Sequence, residues 1–323
     1  MTEPVTYRDV LDAEPLVRAH LPRTPLYEWP GLSERIGCRF FLKHENHLPT
    51  GAFKVRGGIN LVGTLSEAER RTGIIGCTTG NHGQSLAYAG RKFGVKVVLV
   101  VPEGNNPGKN AAMRRWGAEL IEHGRDFDAA REHCERLCRE RRLRYVHSAN
   151  EPKLIAGVGT YAQEIFEDLP DADVILVPVG LGSGVCGTCL VASARRPETR
   201  VIGVQAAAAP AVTLSWREGV MRTTEEAATW AEGMATRVPA EMTMAIMRKY
   251  LSDMVLVGED ELRETVYLLL GETHNLVEGA GAASTAAALK LRSQLAGKKV
   301  VGVVSGGNLD LRELATILDR YGK

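Results

Sequence analysis

The sequence lacks any apolar run that could cross a membrane, because no stretch approaches the roughly 18 consecutive apolar residues that a spanning helix needs. It also lacks an excess of charge of one sign, since 40 Lys and Arg face 39 Asp and Glu, for a formal net charge of +1. A near-neutral chain offers no basic surface to nucleic acid or to an anionic membrane. We therefore expect neither as a partner.

Cysteine is scarce, and the N-terminal segment does not resemble a secretory signal. Six cysteines in 323 residues predict no disulfide framework. The N-terminal segment mixes acidic residues with a proline and has no apolar core of the kind that secretion requires. Both observations favour a reduced, cytoplasmic setting.

Short runs of β-branched and apolar residues alternate with longer segments of helical period, which predicts an α/β fold with mostly parallel sheets flanked by helices. Whether these runs form one sheet or two is left open by the pattern. Ligands bind beyond the carboxyl ends of strands in such sheets, so the loops that follow the strands are the candidate sites. The predicted strands are Arg39–His44, Ile74–Thr78, Val95–Val101, Glu119–His123, Val174–Val179, Val201–Gln205, Met254–Val257 and Val300–Val304.

A lysine follows a turn of small residues in the segment Pro49–Gly58, which we call the lysine segment. Lys54 lies between Phe53 and Val55 at the predicted start of a helix, so its amine is partly shielded and close to positive backbone charge. Both effects favour the neutral amine, which is the form that makes a Schiff base. Taken alone, the same lysine also fits a solvated residue with no chemical role.

Two further loops follow predicted strands and are rich in hydrogen-bond donors. The asparagine loop, Thr78–Gly83, leads into a helix whose first backbone N–H groups suit a carboxylate. The serine loop, Ser305–Asn308, would place a hydroxyl at the edge of the sheet. Taken alone, each loop also fits the ordinary N-terminus of a helix.

A glycine-rich loop, Gly180–Gly187, follows the strand Val174–Val179, and we call it the glycine loop. Glycines let the backbone approach an anion, and the following helix adds its dipole, so the loop predicts a phosphate site. Its spacing G-x-G-x-x-G also fits a nicotinamide oxidoreductase. That alternative is weakened because it needs an acidic residue near the end of the next strand, where this sequence has Gln205.

A shielded lysine, a phosphate loop and a carboxylate loop together describe an aldehyde cofactor with a phosphate group and an amino-acid substrate. Pyridoxal 5'-phosphate (PLP) has these properties.

Two pairs of residues with suggestive spacing give only weak evidence for a metal site or a redox site. His44 and His47 have metal-like spacing but do not lie in a helical pattern. Cys186 and Cys189 fit buried packing better than redox chemistry.

The motifs, in this order, resemble the fold-type II PLP-dependent enzymes, within their threonine/serine dehydratase and serine racemase branch. The resemblance runs from about Leu21 to Leu309, nearly the whole chain. It implies a two-domain, tryptophan synthase β-like α/β fold. Residues 1–63 and 149–323 would form a large PLP-binding domain, with residues 64–148 as a small mobile domain inserted in it.

The resemblance also implies residue roles. Lys54 would hold the cofactor as a Schiff base and later remove the Cα proton, and Asn81 would bind the 3′-oxygen of the ring. Ser305 would face the ring nitrogen, with Phe53 and Glu278 near the cofactor. The residues expected to bind the phosphate are Gly180, Leu181, Gly182, Ser183 and Gly184, and those expected to receive the substrate carboxylate are Thr78, Thr79, Gly80, Asn81 and His82.

The activity that the resemblance implies is dehydration and deamination of a β-hydroxy-α-amino acid to a 2-oxo acid and ammonia, by a homodimer. Thr79 replaces the serine that acts as a second base in racemase relatives, so racemisation is the alternative activity. A PLP-binding protein without catalysis is a further one. The small residues Ala52 and Gly58 lead us to expect room for a β-substituent as large as an aryl group.

Metal binding is not expected. The divalent-cation site of relatives uses acidic residues after the strand that ends at Gln205, and this sequence has Gln205, Ala209 and Ala211 in that region. Two carboxylates are missing, so Mg²⁺ and Ca²⁺ lose the oxygen ligands that they prefer. A monovalent ion held by backbone carbonyl groups is left open.

Overall fold

A computed structural model describes residues 4–125 and 127–322 of the chain. The chain divides into two compact units. Unit 1 comprises Met1–Leu21 and Lys54–Val158, and unit 2 comprises Pro22–Phe53 and Gly159–Lys323. The chain passes between the units at three points, one of which is the peptide bond between Phe53 and Lys54. The smaller, mobile domain of residues 64–148 stays a prediction, and the chain ends and residue 126 of the predicted domains lie outside the described residues.

Within the described residues there are ten strands and fifteen α-helices. The strands are β1 Leu26–Glu28, β2 Arg39–His44, β3 Ile74–Cys77, β4 Val97–Val101, β5 Glu119–Glu122, β6 Arg144–Tyr145, β7 Val174–Pro178, β8 Arg200–Ala206, β9 Asp253–Val257 and β10 Lys299–Val304. The helices are α1 Tyr7–His20, α2 Pro30–Ile36, α3 Lys54–Gly63, α4 Glu67–Thr72, α5 Asn81–Phe93, α6 Pro107–Arg115, α7 Phe127–Arg141, α8 Pro152–Asp168, α9 Ser183–Arg195, α10 Ala211–Glu218, α11 Glu241–Tyr250, α12 Glu259–Thr273, α13 Gly279–Lys290, α14 Arg292–Leu295 and α15 Leu311–Tyr321.

Unit 1 is built on a parallel four-stranded sheet with the strand order β5-β4-β3-β6. Its central strands β3 and β4 are short apolar runs that are buried on both faces, as the sequence predicts for a sheet covered by helices. Helix α5 begins four residues after β3 and ends at Gly94, whose positive φ of 68° terminates it. The asparagine loop therefore connects a buried strand to the N-terminus of a long helix.

Unit 2 is built on a six-stranded sheet with the order β1-β2-β10-β7-β8-β9. All its neighbouring pairs are parallel except β1 with β2, which are antiparallel. Strand β10 lies between β2 and β7, so the carboxyl ends of these three strands meet at one edge. The glycine loop follows β7 and the serine loop follows β10. The sheet topology alone thus places these two loops side by side.

Each unit has its own apolar core. In unit 2, side chains of β2, β7, β8 and β10 pack with the alanine-rich helix α13. In unit 1, the core between the sheet and α7 includes Ile75, Val98 and Cys134. No helix among the described residues is long and apolar enough to span a bilayer. The predicted mixed α/β fold with parallel sheets is confirmed, and the question of one sheet or two is answered as two.

Candidate active site

In unit 2, the first residues of the lysine segment run antiparallel to the serine loop. The backbone N–H of Phe53 donates a 3.0 Å hydrogen bond to the carbonyl oxygen of Ser305, and that of Gly307 donates a 2.9 Å bond to Gly51. These bonds fix the backbone immediately before Lys54.

Further contacts hold the residues before Lys54 against the serine loop. The amide nitrogen of Asn308 donates a 2.8 Å bond to the carbonyl oxygen of Thr50. Gly51 has a φ of 68°, and a Cβ there would lie 2.8 Å from Oδ1 of Asn308. Ala52 and Gly306 form an isolated antiparallel bridge. The turn before the lysine therefore requires glycine at position 51, both for its backbone conformation and for space.

Ser305 is buried directly after β10, and Glu278 packs beside the next residue. The backbone N–H of Glu278 donates a 3.1 Å bond to the carbonyl oxygen of Gly306. A Cβ on Gly306 would lie 2.6 Å from Oε1 of Glu278, so no side chain fits there. Glu278, which the resemblance implies to lie near the cofactor, is thereby located against the serine loop.

The glycine loop has the backbone conformation of an anion site. Gly182 has a φ of 101° and caps helix α9, whose first-turn N–H groups have no acceptor within the helix. Ser183 opens that helix and is buried. A Cβ on Gly180 would clash with the carbonyl oxygen of Gly233, so glycine is needed at position 180. Donors and the positive end of the α9 dipole meet at this loop, as a phosphate requires.

Two residues that sequence reasoning missed hold the glycine loop in place. The hydroxyl of Thr243 donates a 2.6 Å bond to the carbonyl oxygen of Leu181, and the hydroxyl of Tyr161 donates a 2.9 Å bond to that of Gly184. The ring of Phe53 lies edge-on to Tyr161, with centroids 6.2 Å apart. A Cβ on Gly184 would lie 3.3 Å from that same Phe53 ring. Phe53 thus touches both the glycine loop and the serine loop.

In unit 1, Lys54 opens helix α3 and is half-buried. Desolvation lowers the pKa of its amine to about 8, from an ordinary 10.5. The hydroxyl of Ser85, on α5, donates a 2.6 Å bond to the carbonyl oxygen of Lys54. A Cβ on Gly58 would clash with that hydroxyl. The expectation that Gly58 leaves room for a large substrate is therefore wrong, because Ser85 fills the space.

The asparagine loop is shaped by Thr78. Its buried hydroxyl oxygen accepts the backbone N–H groups of Gly80 at 3.0 Å and of Gly83 at 3.1 Å. Thr79 is half-buried and Asn81 opens helix α5. Because Thr78 already engages two of the loop's amides, its role in the structure is to fold the loop around the start of α5.

His82 is the most perturbed titratable residue of this loop. Burial first, then the charges of Lys54 and His147, lower the pKa of its imidazole to about 3, and a backbone hydrogen bond with Val146 opposes the shift. Its Nε2 atom is buried without a hydrogen-bond partner among the described residues. His82 and Ser85 lie on the same helix, so the hydrogen bond from Ser85 to Lys54 brings the lysine and the asparagine loop together within unit 1.

The comparisons with known proteins agree with this geometry. A family model described as pyridoxal-phosphate dependent enzyme matches residues 17–306. The chain belongs to this family. It is 37% identical to an L-threonine ammonia-lyase of Thermotoga maritima, over 98% of this chain and 79% of that protein.

Similar solved structures indicate which branch of this PLP-dependent family the chain belongs to. Processed threonine deaminase isoform 2 from Solanum lycopersicum matches with a TM-score of 0.92 and 31% identity, covering 98% of this chain and 93% of that one. A serine racemase from Dictyostelium discoideum matches with a TM-score of 0.88 and 29% identity, covering 95% and 99%. The chain is a fold-type II PLP-dependent enzyme of the threonine/serine dehydratase and serine racemase branch.

The residues present fit PLP. In unit 2, the helix-capping glycine loop suits the phosphate, and the buried Ser305 lies at the neighbouring strand end. In unit 1, Lys54 offers an amine whose pKa is lowered toward neutrality. These are the donor set and the nucleophile that a phosphorylated aldehyde needs.

The histidine pair and the cysteine pair singled out in the sequence make packing and hydrogen-bond contacts in the structure. Nε2 of His44 accepts a 3.2 Å hydrogen bond from the Trp29 indole, and its ring stacks on His47 at 5.0 Å, so that nitrogen is not available to a metal. Among the described residues, no group of three His, Cys, Asp or Glu could hold a metal ion. Cys186 and Cys189 are buried, which raises the pKa of both thiols and makes them unreactive.

Gln205 fills the position where the oxidoreductase alternative needs an acid. It is fully buried, and its Oε1 accepts a 2.9 Å bond from the backbone N–H of Thr213 and a 2.8 Å bond from the hydroxyl of the same residue. A nicotinamide ribose would therefore find no carboxylate there.

The prediction that the protein holds no metal stays a prediction.

Proposed function

We propose that this PLP-dependent ammonia-lyase converts a β-hydroxy-α-amino acid, such as L-threonine or L-serine, to a 2-oxo acid and ammonia. The observation that carries the proposal is the amine of Lys54, whose pKa is lowered to about 8 and whose preceding residue is hydrogen-bonded to Ser305. The relative named an L-threonine ammonia-lyase supports the same reaction class. A β-aryl serine remains among the proposed substrates, and the only support for it is the small side chain of Ala52.

The cofactor supplies electron withdrawal from the α-carbon of a bound amino acid. We assign a role in that chemistry to each of three groups of the chain. The amine of Lys54 holds the cofactor and then takes the Cα proton at Nζ, a role that needs a neutral amine. The first-turn N–H groups of α9 bind the phosphate. Ser305 is the partner of the ring nitrogen, and a neutral hydroxyl, unlike a carboxylate, does not hold a proton there.

The substrate carboxylate is assigned to the asparagine loop. Because the Thr78 oxygen accepts the N–H groups of Gly80 and Gly83, we assign the carboxylate to the hydroxyl of Thr79 and to the backbone N–H groups of Asn81 and His82. These amides lie in the first turn of α5, where helix geometry directs them away from the helix. Thr78 and Gly80 then position the loop.

The net reaction balances without an oxidant. Loss of the Cα proton and of the β-hydroxyl releases one water and leaves an enamine, which takes up one water to give the 2-oxo acid and ammonia. The proton from Cα passes to Lys54, and the hydroxyl leaves as water after protonation. Neither step changes the number of electrons in the substrate, so no second cofactor is required.

Racemisation is the second candidate, and the observation that favours it is the half-buried Thr79 at the start of the asparagine loop. A hydroxyl there could return a proton to the second face of Cα. The methyl group of threonine restricts rotation of that hydroxyl, which favours dehydration over racemisation.

We also propose that the protein is a homodimer and that it is located in the cytoplasm.

A coupled assay for 2-oxo acid and ammonia on the purified PLP-loaded protein tests the proposal. The substrates are L-threonine, L-serine, D-serine, threo-3-hydroxyaspartate and L-threo-phenylserine, with Lys54→Ala as the inactive control. Equal amounts of oxo acid and ammonia from at least one substrate are expected. PLP binding without oxo acid, but with inverted amino acid in chiral analysis, would replace dehydration by racemisation. Binding without either product would leave only a PLP-binding protein.

A further inference from the structure

Strands β3 and β4 are neighbours, and the loops at their carboxyl ends therefore share one edge of the unit 1 sheet. The two strands are parallel, with Cys77 opposite Val100. The backbone N–H of Thr78, the first residue of the asparagine loop, donates a 3.0 Å bond to the carbonyl oxygen of Val100. The chain that leaves β4 thus lies beside the asparagine loop.

Strand β4 leads into a short loop and then into helix α6, which has a lysine in its first turn. The side chain of Asn106 caps this helix by accepting the backbone N–H of Lys109 at 3.2 Å, and Pro107 is its first residue. Both features are typical of a well-defined helix start. The backbone of Lys109 is therefore held in a fixed position close to the edge of the sheet.

The side chain of Lys109 lies against Gly80 in the asparagine loop. A Cβ built on Gly80 would be 2.7 Å from Cδ of Lys109 and 3.5 Å from its Nζ. Lys109 is half-buried, and its methylene groups cover the glycine. The absence of a side chain at position 80 is what lets the lysine approach the peptide groups on either side of this residue.

We propose that Lys109 is a substrate-binding residue, which adds a positive charge to the asparagine loop and selects for the α-carboxylate of the amino acid. This inference rests on the proposed assignment of that loop to the carboxylate. The loop's amides carry only partial charges, whereas an ammonium beside Gly80 adds a full charge at the same place. A charge-assisted contact of this kind is stronger than one between neutral groups.

A purely structural role for Lys109 makes a different prediction, because the lysine would then only cover Gly80 and support α6. In that case its loss would weaken the loop for every ligand, charged or not. The two roles are separated by a pair of ligands that share the α-amino group and the methyl side chain and differ only in the carboxylate. L-alanine and L-alaninamide are such a pair, and neither has a β-hydroxyl to lose.

Isothermal titration of the PLP-loaded protein with these two ligands is the test. The variants are Lys109→Met, which keeps most of the stem, Lys109→Arg, which keeps the charge, and Lys92→Met as a matched loss of an exposed lysine on α5. Lys109→Met is expected to weaken L-alanine binding about tenfold, the size of one charge-assisted contact, and to change L-alaninamide binding less than about twofold. Lys109→Arg should recover most of the loss, and Lys92→Met should behave as the wild type.

Kinetics give an independent readout. With the hydroxy amino acid that turns over best, Lys109→Met should raise KM about tenfold and leave kcat within about twofold, as expected for a lost ground-state contact. Equal weakening of both ligands, or no effect on L-alanine, would overturn the inference, as would a wild-type protein that does not prefer L-alanine over L-alaninamide. If no substrate is dehydrated but the tenfold carboxylate effect is found, the proposed reaction fails and the role of Lys109 stands.

Discussion

The backbone N–H of Phe53 donates a 3.0 Å hydrogen bond to the carbonyl oxygen of Ser305, 252 positions further along the chain. This single bond joins the residue before Lys54 to the end of the central strand of unit 2. A nucleophile must be held within a fraction of an ångström to act, and backbone pairing is a rigid way to do so. The closely packed serine loop should therefore be intolerant of added volume.

Gly306→Ala tests that intolerance. Its Cβ would lie 2.6 Å from Oε1 of Glu278 and 3.2 Å from Cβ of Ala52, so the serine loop would have to move. We expect the free energy of unfolding to fall by about 1 to 3 kcal/mol, as for other overpacked sites, together with weaker PLP binding. Urea denaturation of the protein without cofactor and equilibrium titration with PLP measure the two effects.

Gly271→Ala is the matched control for that substitution. Gly271 lies in helix α12, where an added Cβ would meet nothing within 4 Å. Alanine is a better helix former than glycine, so this variant should gain up to about 1 kcal/mol. Equal stability of the two variants, with unchanged PLP binding in both, would show that the serine loop is not tightly packed.

The pKa of Lys54 makes a prediction about cofactor loading. Desolvation disfavours the charged amine and lowers its pKa to about 8, so the reactive neutral form increases as the pH rises through 8. The rate at which the cofactor-free protein reacts with PLP should follow this titration, with its midpoint near 8. Stopped-flow absorbance over pH 6 to 10 measures it, and Lys54→Ala is the control. A midpoint near 10.5 would mean an amine exposed to bulk water.

His82 predicts a loss of stability in acid. Its pKa is about 3 in the folded protein against an ordinary 6.5, so between these values the unfolded chain binds the extra proton and stability falls as the pH falls. From pH 7 to pH 5 this residue should cost about 2 kcal/mol. Urea denaturation at the two pH values should show a smaller loss in His82→Asn. His274→Asn, at an exposed site, should keep the loss unchanged, and a wild-type loss in both variants would contradict the shift.

A buried ion pair predicts a large effect on the stability of unit 2. Nζ of Lys43 lies 2.6 Å from Oε2 of Glu164 and 2.7 Å from the carbonyl oxygen of Thr24, and both charged side chains are almost fully buried. Lys43→Met strands the carboxylate and should cost about 3 to 5 kcal/mol in urea denaturation. The double variant Lys43→Met/Glu164→Leu should recover most of that loss, because no buried charge remains.

The exposed pair of Arg8 and Asp12 gives the comparison for this ion pair. Their side chains are 80% and 59% exposed, so Arg8→Met should cost no more than about 0.5 kcal/mol. A cost for Lys43→Met as small as that for Arg8→Met would show that water reaches the buried pair.

Strand ends are the part of the site that the sequence predicts well. Runs of Val, Ile and Leu locate β3, β7 and β10, and the loops after them are marked by glycine, threonine and serine. Several elements are missed, and for β1, β6 and α1 the reason is physical. Strands β1 and β6 are only three and two residues long, too short for a periodic pattern. Helix α1 contains Pro15, a residue that is unusual inside helices.

Residues that contact the loops from other parts of the sequence could not be predicted. Thr243 and Tyr161 are ordinary helix residues in the sequence, and only the fold brings their hydroxyls to the glycine loop. Lys109 likewise reaches Gly80 because β3 and β4 pair in parallel. Gly58 shows the opposite failure. Its small size predicts space for a substrate, but the hydroxyl of Ser85 occupies that space.

The most direct test of the central claim is to locate the cofactor on the chain. Borohydride reduction of the PLP-loaded protein makes the lysine attachment permanent, and proteolysis with mass spectrometry then identifies the modified peptide. We predict that the peptide containing Lys54 carries the cofactor in stoichiometric amount and that Lys43 and Lys109 are unmodified. Stoichiometric modification of any lysine other than Lys54, or no retained cofactor, would contradict the account.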